Sequence, residues 1–166
     1  MKRKYWVLLI TCAVVFSLDQ YTKFVVSEDL PLHQRIEVIH GFFNLTHVRN
    51  PGGAFGILGG RSGPWGMVFF IGISAVAICS ILFFFRRIKE DEDNLALSFS
   101  LVLAGALGNL FDRLRYGEVV DFLEFYVSSF YWPAFNIADS AICIGIGLMA
   151  FEMLFWDHKK KSKRES

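Results

Sequence analysis

Residues 65–85 read WGMVFFIGISAVAICSILFFF, and no charged side chain interrupts the sequence between Arg61 and Arg86. A helix needs about 20 predominantly apolar residues to cross the hydrocarbon core of a bilayer. The whole chain is 54% hydrophobic and only 20% charged, and its charges cluster in short blocks between long apolar runs. This distribution predicts an integral membrane protein, because a charge at the centre of the bilayer costs about 2.5–3.5 kcal/mol on insertion scales.

Three further stretches on either side of this segment are long and apolar enough to span a membrane. The four predicted spans are residues 5–26, 64–85, 94–113 and 137–156. Long connections, residues 27–63 and 114–136, join the first two and the last two spans. The sequence therefore predicts a membrane all-α fold, with four transmembrane helices in a single membrane domain over residues 1–166.

The first span has a competing interpretation. Lys2, Arg3 and Lys4 precede an apolar stretch, as basic residues do in a cleavable signal peptide. No Ala-x-Ala cleavage site follows, and the apolar stretch continues past Asp19. We therefore interpret this segment as an uncleaved membrane anchor.

Lysine and arginine are distributed unevenly among the segments outside the spans. Most of the 17 cations precede span one, separate spans two and three, or follow span four. Cytoplasmic segments carry an excess of such residues. This pattern predicts that both termini are cytoplasmic and that the two long loops lie outside.

The two outer loops have sequence patterns of their own. Residues 35–40 alternate in polarity, residues 42–48 are rich in aromatic and β-branched side chains, and Gly41 separates them. This pattern predicts a small extracytoplasmic β-hairpin or sheet, followed by a turn at residues 50–53. Residues 122–132 are aromatic with a single charge, which indicates an interfacial outer segment along the membrane surface.

Polar residues of three spans and one outer loop fall at the same predicted depth. They are Asp19, Lys23, Asn109, Asp112, Arg113, Asp121, Asn136 and Asp139. Each alone has a structural interpretation: Asp19 with Lys23 is an i,i+4 helix pair, and Asn136 with Asp139 fits a helix cap. Together they predict a functional cluster near the outer face, because ionisable residues inside a membrane are expensive.

Cysteine and histidine do not suggest a metal site. Cys12, Cys79 and Cys143 each lie inside an apolar run without CxxC spacing, and we expect buried structural thiols without disulfides or zinc. The four histidines lie outside the spans and form no HExxH motif. We therefore expect no metal and no organic cofactor, and a net charge of +1 indicates no nucleic-acid surface.

Two carboxylates at one depth are the simplest chemical device in this set. When close together they cannot both ionise easily, so one keeps a proton while the other acts as a base. A small proton-coupled transporter that uses Asp19, Lys23 and Asp139 is an alternative. A further alternative is a non-catalytic anchoring protein whose polar residues only join helices.

Five short motifs resemble those of one family, and they follow one another in the same order as in that family. They read DQYTK at 19–23, NPGGAF at 50–55, GNLFDR at 108–113, VVDF at 119–122 and FNIAD at 135–139. In this order on four spans, they resemble the lipoprotein signal peptidases, the bacterial type II signal peptidases. The resemblance covers nearly the whole chain, from about residue 5 to residue 155.

The resemblance implies an aspartic endopeptidase of the bacterial inner membrane. Such an enzyme removes signal peptides from prolipoproteins by cleaving just before a diacylglyceryl-modified cysteine, and globomycin-type inhibitors block it. The matching motifs imply that Asp121 and Asp139 are the catalytic pair. Residues implied to shape the site or contact the substrate are Asp19, Lys23, Asn50, Asn109, Asp112, Arg113 and Asn136. We expect the protein to contact membrane lipid and, as the default state, to be a monomer.

Overall fold

A computed structural model describes residues 2–52 and 64–162 of the chain, with side chains for residues 2–52 and 65–154. The helices are α1 (Arg3–Asp29), α2 (Pro64–Arg87), α3 (Asp93–Tyr116) and α4 (Ile137–Ser162). All four are long and apolar enough to cross a membrane. The prediction of four apolar helices is confirmed, and each helix extends a few residues beyond the predicted bounds of the spans.

The helices expose their large apolar side chains and bury small or polar ones. Ile10, Val76 and Ile144 are each more than half exposed, as suits a surface that contacts lipid. Helix α3 packs against the other three helices. A Cβ atom on Gly105 would lie 2.2 Å from the carbonyl oxygen of Ala138 in α4. Small residues of α3 therefore allow the close helix approach that is typical of membrane bundles.

The three cysteines are free thiols, as predicted, but their expected burial is wrong for two of them. Cys12 is half-buried, whereas Cys79 and Cys143 are exposed on the surfaces of α2 and α4. An apolar run indicates burial in a soluble protein, but in a membrane helix the surface is apolar as well. Composition alone therefore could not separate the interior positions from those that face lipid.

A four-stranded antiparallel sheet joins the two long connections between helices. Its strands are β1 (Arg35–Ile39), β2 (Phe43–Asn50), β3 (Val119–Val127) and β4 (Phe130–Tyr131), in the order β1-β2-β3-β4. The predicted hairpin is confirmed, and Gly41 at its turn has a φ of +74°. Most of residues 122–132 belongs to β3 and β4. The sequence indicated no strand there, because aromatic residues suit both strands and membrane interfaces.

One ion pair holds the sheet together across several strands. Arg35 of β1 donates from Nε and Nη2 to the carboxylate of Glu124 in β3, at 2.7 and 2.9 Å. Asn44 of β2 donates to the same carboxylate at 3.0 Å, and the Arg35 guanidinium lies 5.2 Å from the ring centre of Tyr131 in β4. Because bidentate arginine–carboxylate pairs are directional, this contact fixes the relative positions of all four strands.

The predicted turn after β2 is described only in part. Gly52 has a φ of +114°, and its backbone N–H donates to the Asn50 side-chain oxygen at 3.0 Å. This positive φ favours glycine. Gly53, Ala54 and Arg61 lie outside the described residues.

Candidate active site

The polar residues singled out in the sequence converge where α1 and α3 end and α4 begins, beside strands β2 and β3. They are Asp19, Lys23, Asn50, Asn109, Asp112, Arg113, Asp121, Asn136 and Asp139. All of these except Asn50, Arg113 and Asp139 are buried, and those three are partly buried. Hydrogen bonds connect most of these residues to one another. The network divides into two groups, and each contains a pair of carboxylates.

The first group is built around Lys23 of α1. Its Nζ atom lies 2.8 Å from Asp19 and 2.9 Å from Asp112, and it donates to Asn109 Oδ1 at 3.1 Å. The Lys23 side chain is 3% exposed, and the two aspartate side chains are 0% and 1% exposed. Buried charges persist when they are paired and hydrogen-bonded, and this ammonium has three acceptors for its three protons.

The same two aspartates hold other elements in place. Asp19 Oδ1 accepts the backbone N–H of Ala138, in the first turn of α4, at 2.9 Å. Asp112 Oδ2 accepts the backbone N–H of Val120, at the start of β3, at 3.2 Å. Asp19 fits against α3 because Gly108 has no side chain: a Cβ there would lie 2.6 Å from Asp19 Oδ2. The Lys23 group therefore joins α1, α3, α4 and β3.

Gln20 belongs to this group, although it is not among the site residues predicted from the sequence. Its side-chain nitrogen donates to Asp19 Oδ2 at 3.0 Å and to Asp112 Oδ1 at 2.9 Å. Adjacent residues of a helix do not face each other, so the spacing of Gln20 and Asp19 carries no signal of cooperation. Only the position of α3 beside α1 brings Gln20 against both carboxylates.

The second group begins at the start of α4. The backbone N–H of Asp139 donates to Asn136 Oδ1 at 2.9 Å, and the backbone N–H of Asn136 donates to Asp139 Oδ2 at 3.2 Å. This reciprocal pair confirms the helix cap that the spacing predicted. Asn109 of α3 donates from Nδ2 to Asp139 Oδ1 at 2.8 Å. The carboxylate of Asp139 therefore lies at the N-terminus of a helix, where the dipole favours negative charge.

Asp121 of β3 is the other carboxylate of this group, and it is 2% exposed. Asn50 Nδ2 donates to Asp121 Oδ2 at 2.9 Å, and Asn136 Nδ2 donates to Oδ1 at 2.7 Å. Burial raises the pKa of Asp121 to about 7. The negative charge of Asp139 raises this pKa further, whereas the two amide donors oppose the increase.

Asn136 connects the two carboxylates directly. Its Nδ2 atom donates to Asp121, and its Oδ1 atom accepts the backbone N–H of Asp139. Nδ2 also lies 3.2 Å from Asn109 Oδ1 and 3.2 Å from the carbonyl oxygen of Val120. One amide side chain therefore fixes the strand that carries Asp121 relative to the helix that carries Asp139.

Arg113 lies close to this network without an ion pair among the described residues. Its guanidinium carbon is 5.6 Å from the ring centre of Phe70, and Nη1 reaches the carbonyl oxygen of Asn109 at 3.4 Å. Its Nε atom is buried and has no hydrogen-bond partner in the part of the chain that the structure describes. Arg113 is therefore the cation of the site that retains free hydrogen-bonding capacity.

The described residues contain no group of three or more histidine, cysteine, aspartate and glutamate side chains arranged to hold a metal ion. His47, in the second strand of the predicted hairpin, is buried in the sheet. Its Nδ1 atom donates to the carbonyl oxygen of Leu30, just after α1, at 2.7 Å. His40 remains at the exposed tip of the hairpin, 3.1 Å from Glu37.

Comparison with known proteins places this geometry in a family. The family model described as signal peptidase (SPase) II matches residues 11–155. The lipoprotein signal peptidase of Desulforapulum autotrophicum is 45% identical over 148 residues, which cover 89% of this chain and 91% of that protein. The lipoprotein signal peptidase of Syntrophus aciditrophicus is 44% identical over 163 residues, covering 98% and 99% of the two chains.

Two solved structures have the same fold. Both are described as a bacterial membrane enzyme determined by the in meso method. The one at 2.3 Å resolution is 35% identical, with a TM-score of 0.78 over 89% of this chain and 87% of that one. The one at 1.9 Å resolution is 33% identical, with a TM-score of 0.74 over 89% and 92%. This chain is a multi-pass bacterial membrane protein, and it belongs to the signal peptidase II family of peptidases.

Proposed function

We propose that this peptidase is an aspartic endopeptidase in which Asp121 and Asp139 are the catalytic pair. The observation that carries the proposal is that the contacts of these two carboxylates differ from those of Asp19 and Asp112. Both carboxylates are bound by neutral amide groups, and no lysine or arginine nitrogen of the described residues lies within 4.0 Å of either one. A carboxyl group without a paired cation is free to exchange a proton during a reaction.

The two environments assign the roles. Asp121, with a pKa of about 7, holds the proton, and Asp139 at the helix N-terminus is the base. Asp139 takes a proton from water as the water oxygen attacks the scissile carbonyl carbon, while Asp121 gives its proton to the carbonyl oxygen. The resulting gem-diol collapses: the C–N bond breaks, Asp139 passes its proton to the leaving nitrogen, and a gem-diol hydroxyl returns a proton to Asp121.

The substrates proposed are lipid-modified prolipoproteins, cleaved just before the diacylglyceryl cysteine. The support is that relatives 44–45% identical are named lipoprotein signal peptidases. The position of the site also suits such a substrate, because a lipid-modified cysteine lies at the membrane–water interface. The lysine and arginine distribution supports cytoplasmic termini and a site near the outer face of the inner membrane. A monomer is the default state that we propose. Globomycin-type peptides are the inhibitors that we expect to occupy this site.

The experiment uses purified protein and a lipid-modified prolipoprotein whose trimming is followed by gel mobility. Asp121→Asn and Asp139→Asn are each expected to lower kcat by about 10²–10⁴-fold, because each removes one proton-transfer group. Asp29→Asn is the matched control, since Asp29 is exposed at the end of α1. We expect this control to trim the substrate at the wild-type rate.

The outcomes distinguish the alternatives. If both variants trim the substrate normally, the assignment of the pair is wrong although the protein is a peptidase. If the wild-type protein never trims a lipid-modified substrate, the substrate class is wrong. A transporter that used Asp19, Lys23 and Asp139 would retain its activity in Asp121→Asn, and an anchoring protein would show no turnover at all.

A further inference from the structure

Strand β2 contains one more residue than β3 over the stretch that faces it next to Asp121. Leu45 pairs with Leu123, but three residues later Val48 pairs with Asp121, which is only two residues from Leu123. Thr46 and His47 therefore lie opposite the single residue Phe122. The N–H of Phe122 donates to the carbonyl oxygen of Phe135 at 3.0 Å, outside the β2–β3 ladder. This is a β-bulge, a feature that re-aims side chains and occurs often beside active sites.

The bulge decides which face of the sheet Asn50 occupies. After the bulge, Asn50 of β2 pairs with Val119 of β3, so the two side chains project from the same face. Asp121 follows Val119 by two residues on β3 and therefore also projects from that face. In a continuous register from Leu45, His47 would instead lie opposite Asp121. Asn50 would then project from the opposite face, because a one-residue slip reverses every side chain. The contact between Asn50 and Asp121 therefore depends on the extra residue.

Both bulge residues are anchored to the segment that follows α1. His47 Nδ1 donates to the Leu30 carbonyl oxygen at 2.7 Å, and the His47 backbone accepts the N–H of His33 at 2.8 Å. Thr46 Oγ1 donates to the Gln34 carbonyl oxygen at 3.1 Å. His47 is 5% exposed and Thr46 is 1% exposed. These anchors join the bulge to α1, the helix that carries Asp19 and Lys23.

We propose that His47 is a positioning residue: by anchoring the β2 bulge to the end of α1, it sets the register that holds Asn50 against Asp121. The inference rests on the proposed role of Asp121. His47 itself does not touch the reacting groups. It acts through the strand, so its loss displaces an amide donor from a catalytic carboxyl group while the substrate-binding surface remains.

The first experiment measures steady-state trimming by His47→Leu and His47→Asn. Leucine keeps the bulk but has no donor, whereas the asparagine side-chain nitrogen can replace Nδ1 as the donor to Leu30. We expect His47→Leu to lower kcat about 10–100-fold with KM within about threefold, since a misplacement of about 1 Å costs up to 10²-fold. We expect His47→Asn to recover most of kcat. Equal rates for His47→Leu and the wild type would overturn the proposal.

A double-mutant cycle tests whether the effect passes through Asn50. Since His47 is proposed to act only by placing Asn50, His47→Leu should cause no further loss of kcat in an Asn50→Ala background. Multiplicative losses would show that the two residues act independently and would contradict the proposal. His40→Leu is the matched control, because it makes the same substitution at the exposed tip of the hairpin, away from the bulge, and it should leave kcat near the wild-type value.

Disulfide trapping measures the register without any substrate, so it remains informative even if the proposed function fails. In a chain in which Cys12, Cys79 and Cys143 are replaced by alanine, Arg49→Cys is combined with either Val120→Cys or Val119→Cys. The first pair is directly opposed in the structure. The second would be opposed if the bulge were lost.

We expect His47→Leu to reduce cross-linking of the first pair and to increase that of the second. Unchanged cross-linking in His47→Leu would overturn the proposal whatever the activity. Thr46→Val removes the hydroxyl anchor of the other bulge residue. It should shift cross-linking from the first pair to the second in the same way, but by a smaller amount. It replaces His47→Leu if that variant does not accumulate, and an unchanged Thr46→Val would then be the contrary result.

Discussion

The two pairs of aspartates lie in one network, yet their contacts differ in kind. Asp19 and Asp112 are bound by the Lys23 ammonium and by Gln20, and each also accepts a backbone N–H from another element. Asp121 and Asp139 receive only amide donors from asparagine side chains and the backbone. The first pair thus shares a counter-ion and is structural, whereas the second is positioned but left without a counter-ion.

For the proposed catalytic pair, this difference combines a rigid position with the ability to react. A cation beside a carboxylate stabilises its charged form and ties it to one protonation state, whereas a neutral amide fixes its position with a smaller electrostatic effect. The Lys23 group supplies the rigidity, because it joins three helices to β3 at a depth where an unpaired charge is costly. The asparagines can then hold the second pair at a fixed position without removing its ability to exchange protons.

The largest expected effect comes from removing the cation of the first pair. Lys23→Met leaves two buried carboxylates unpaired, and we expect a loss of about 3–5 kcal/mol in the free energy of unfolding. Asp121→Asn, in the second pair, should change this free energy by less than about 1 kcal/mol, because an amide can keep part of the hydrogen bonding. Thermal unfolding in detergent measures both, with exposed Lys89→Met as control. Equal Tm values for Lys23→Met and wild type would remove the distinction between the pairs.

A smaller effect is expected from crowding the first pair. Gly108→Ala places a Cβ atom 2.6 Å from Asp19 Oδ2, so α1 and α3 must separate or Asp19 must move. We expect a loss of about 1–3 kcal/mol in stability, the usual range for an overpacked site. Gly72→Ala in α2 is the matched control, because no atom lies within 4 Å of its new Cβ. A Gly108→Ala protein as stable as Gly72→Ala would show that the Asp19 position is not tightly constrained.

The smallest expected effect is a change in the pKa of Asp121, in the second pair. Asn50→Ala removes a donor that stabilises ionised Asp121, so the pKa of this carboxyl should rise above its value of about 7. Because protonated Asp121 is the proposed acid, activity persists to higher pH. The alkaline limb of the kcat/KM profile should therefore move up by about 1 pH unit, equivalent to 1.36 kcal/mol. Asn44→Ala, which removes a donor to Glu124, should leave the limb in place. A limb that moves down would contradict the assigned role of Asp121.

The arrangement of helices was predictable because a bilayer fixes both length and direction. Span lengths follow from its thickness, and the alternation of direction places Asp19, Asn109 and Asp139 at one depth before any contact is known. The contacts within the network were not predictable in the same way. Gln20 reaches two carboxylates only because α3 packs against α1. The need for glycine at position 108 becomes visible only when Asp19 is known to lie against it. The extra residue at His47 depends on strand pairing, which a local pattern does not specify.

The backbone of the first turn of α4 bears on how the proposed mechanism stabilises the negative charge that develops on the substrate. Three of its backbone N–H groups are already occupied: Ala138 donates to Asp19, Asp139 to the Asn136 side chain, and Ser140 to the Asn136 carbonyl. A helix N-terminus often serves as an oxyanion hole, but these three amides are not free to serve one. In the proposed mechanism, the charge that develops on the carbonyl oxygen is therefore neutralised by the proton of Asp121 and not by these amides, so that Asp121 acts as an electrophilic catalyst through its carboxylic acid.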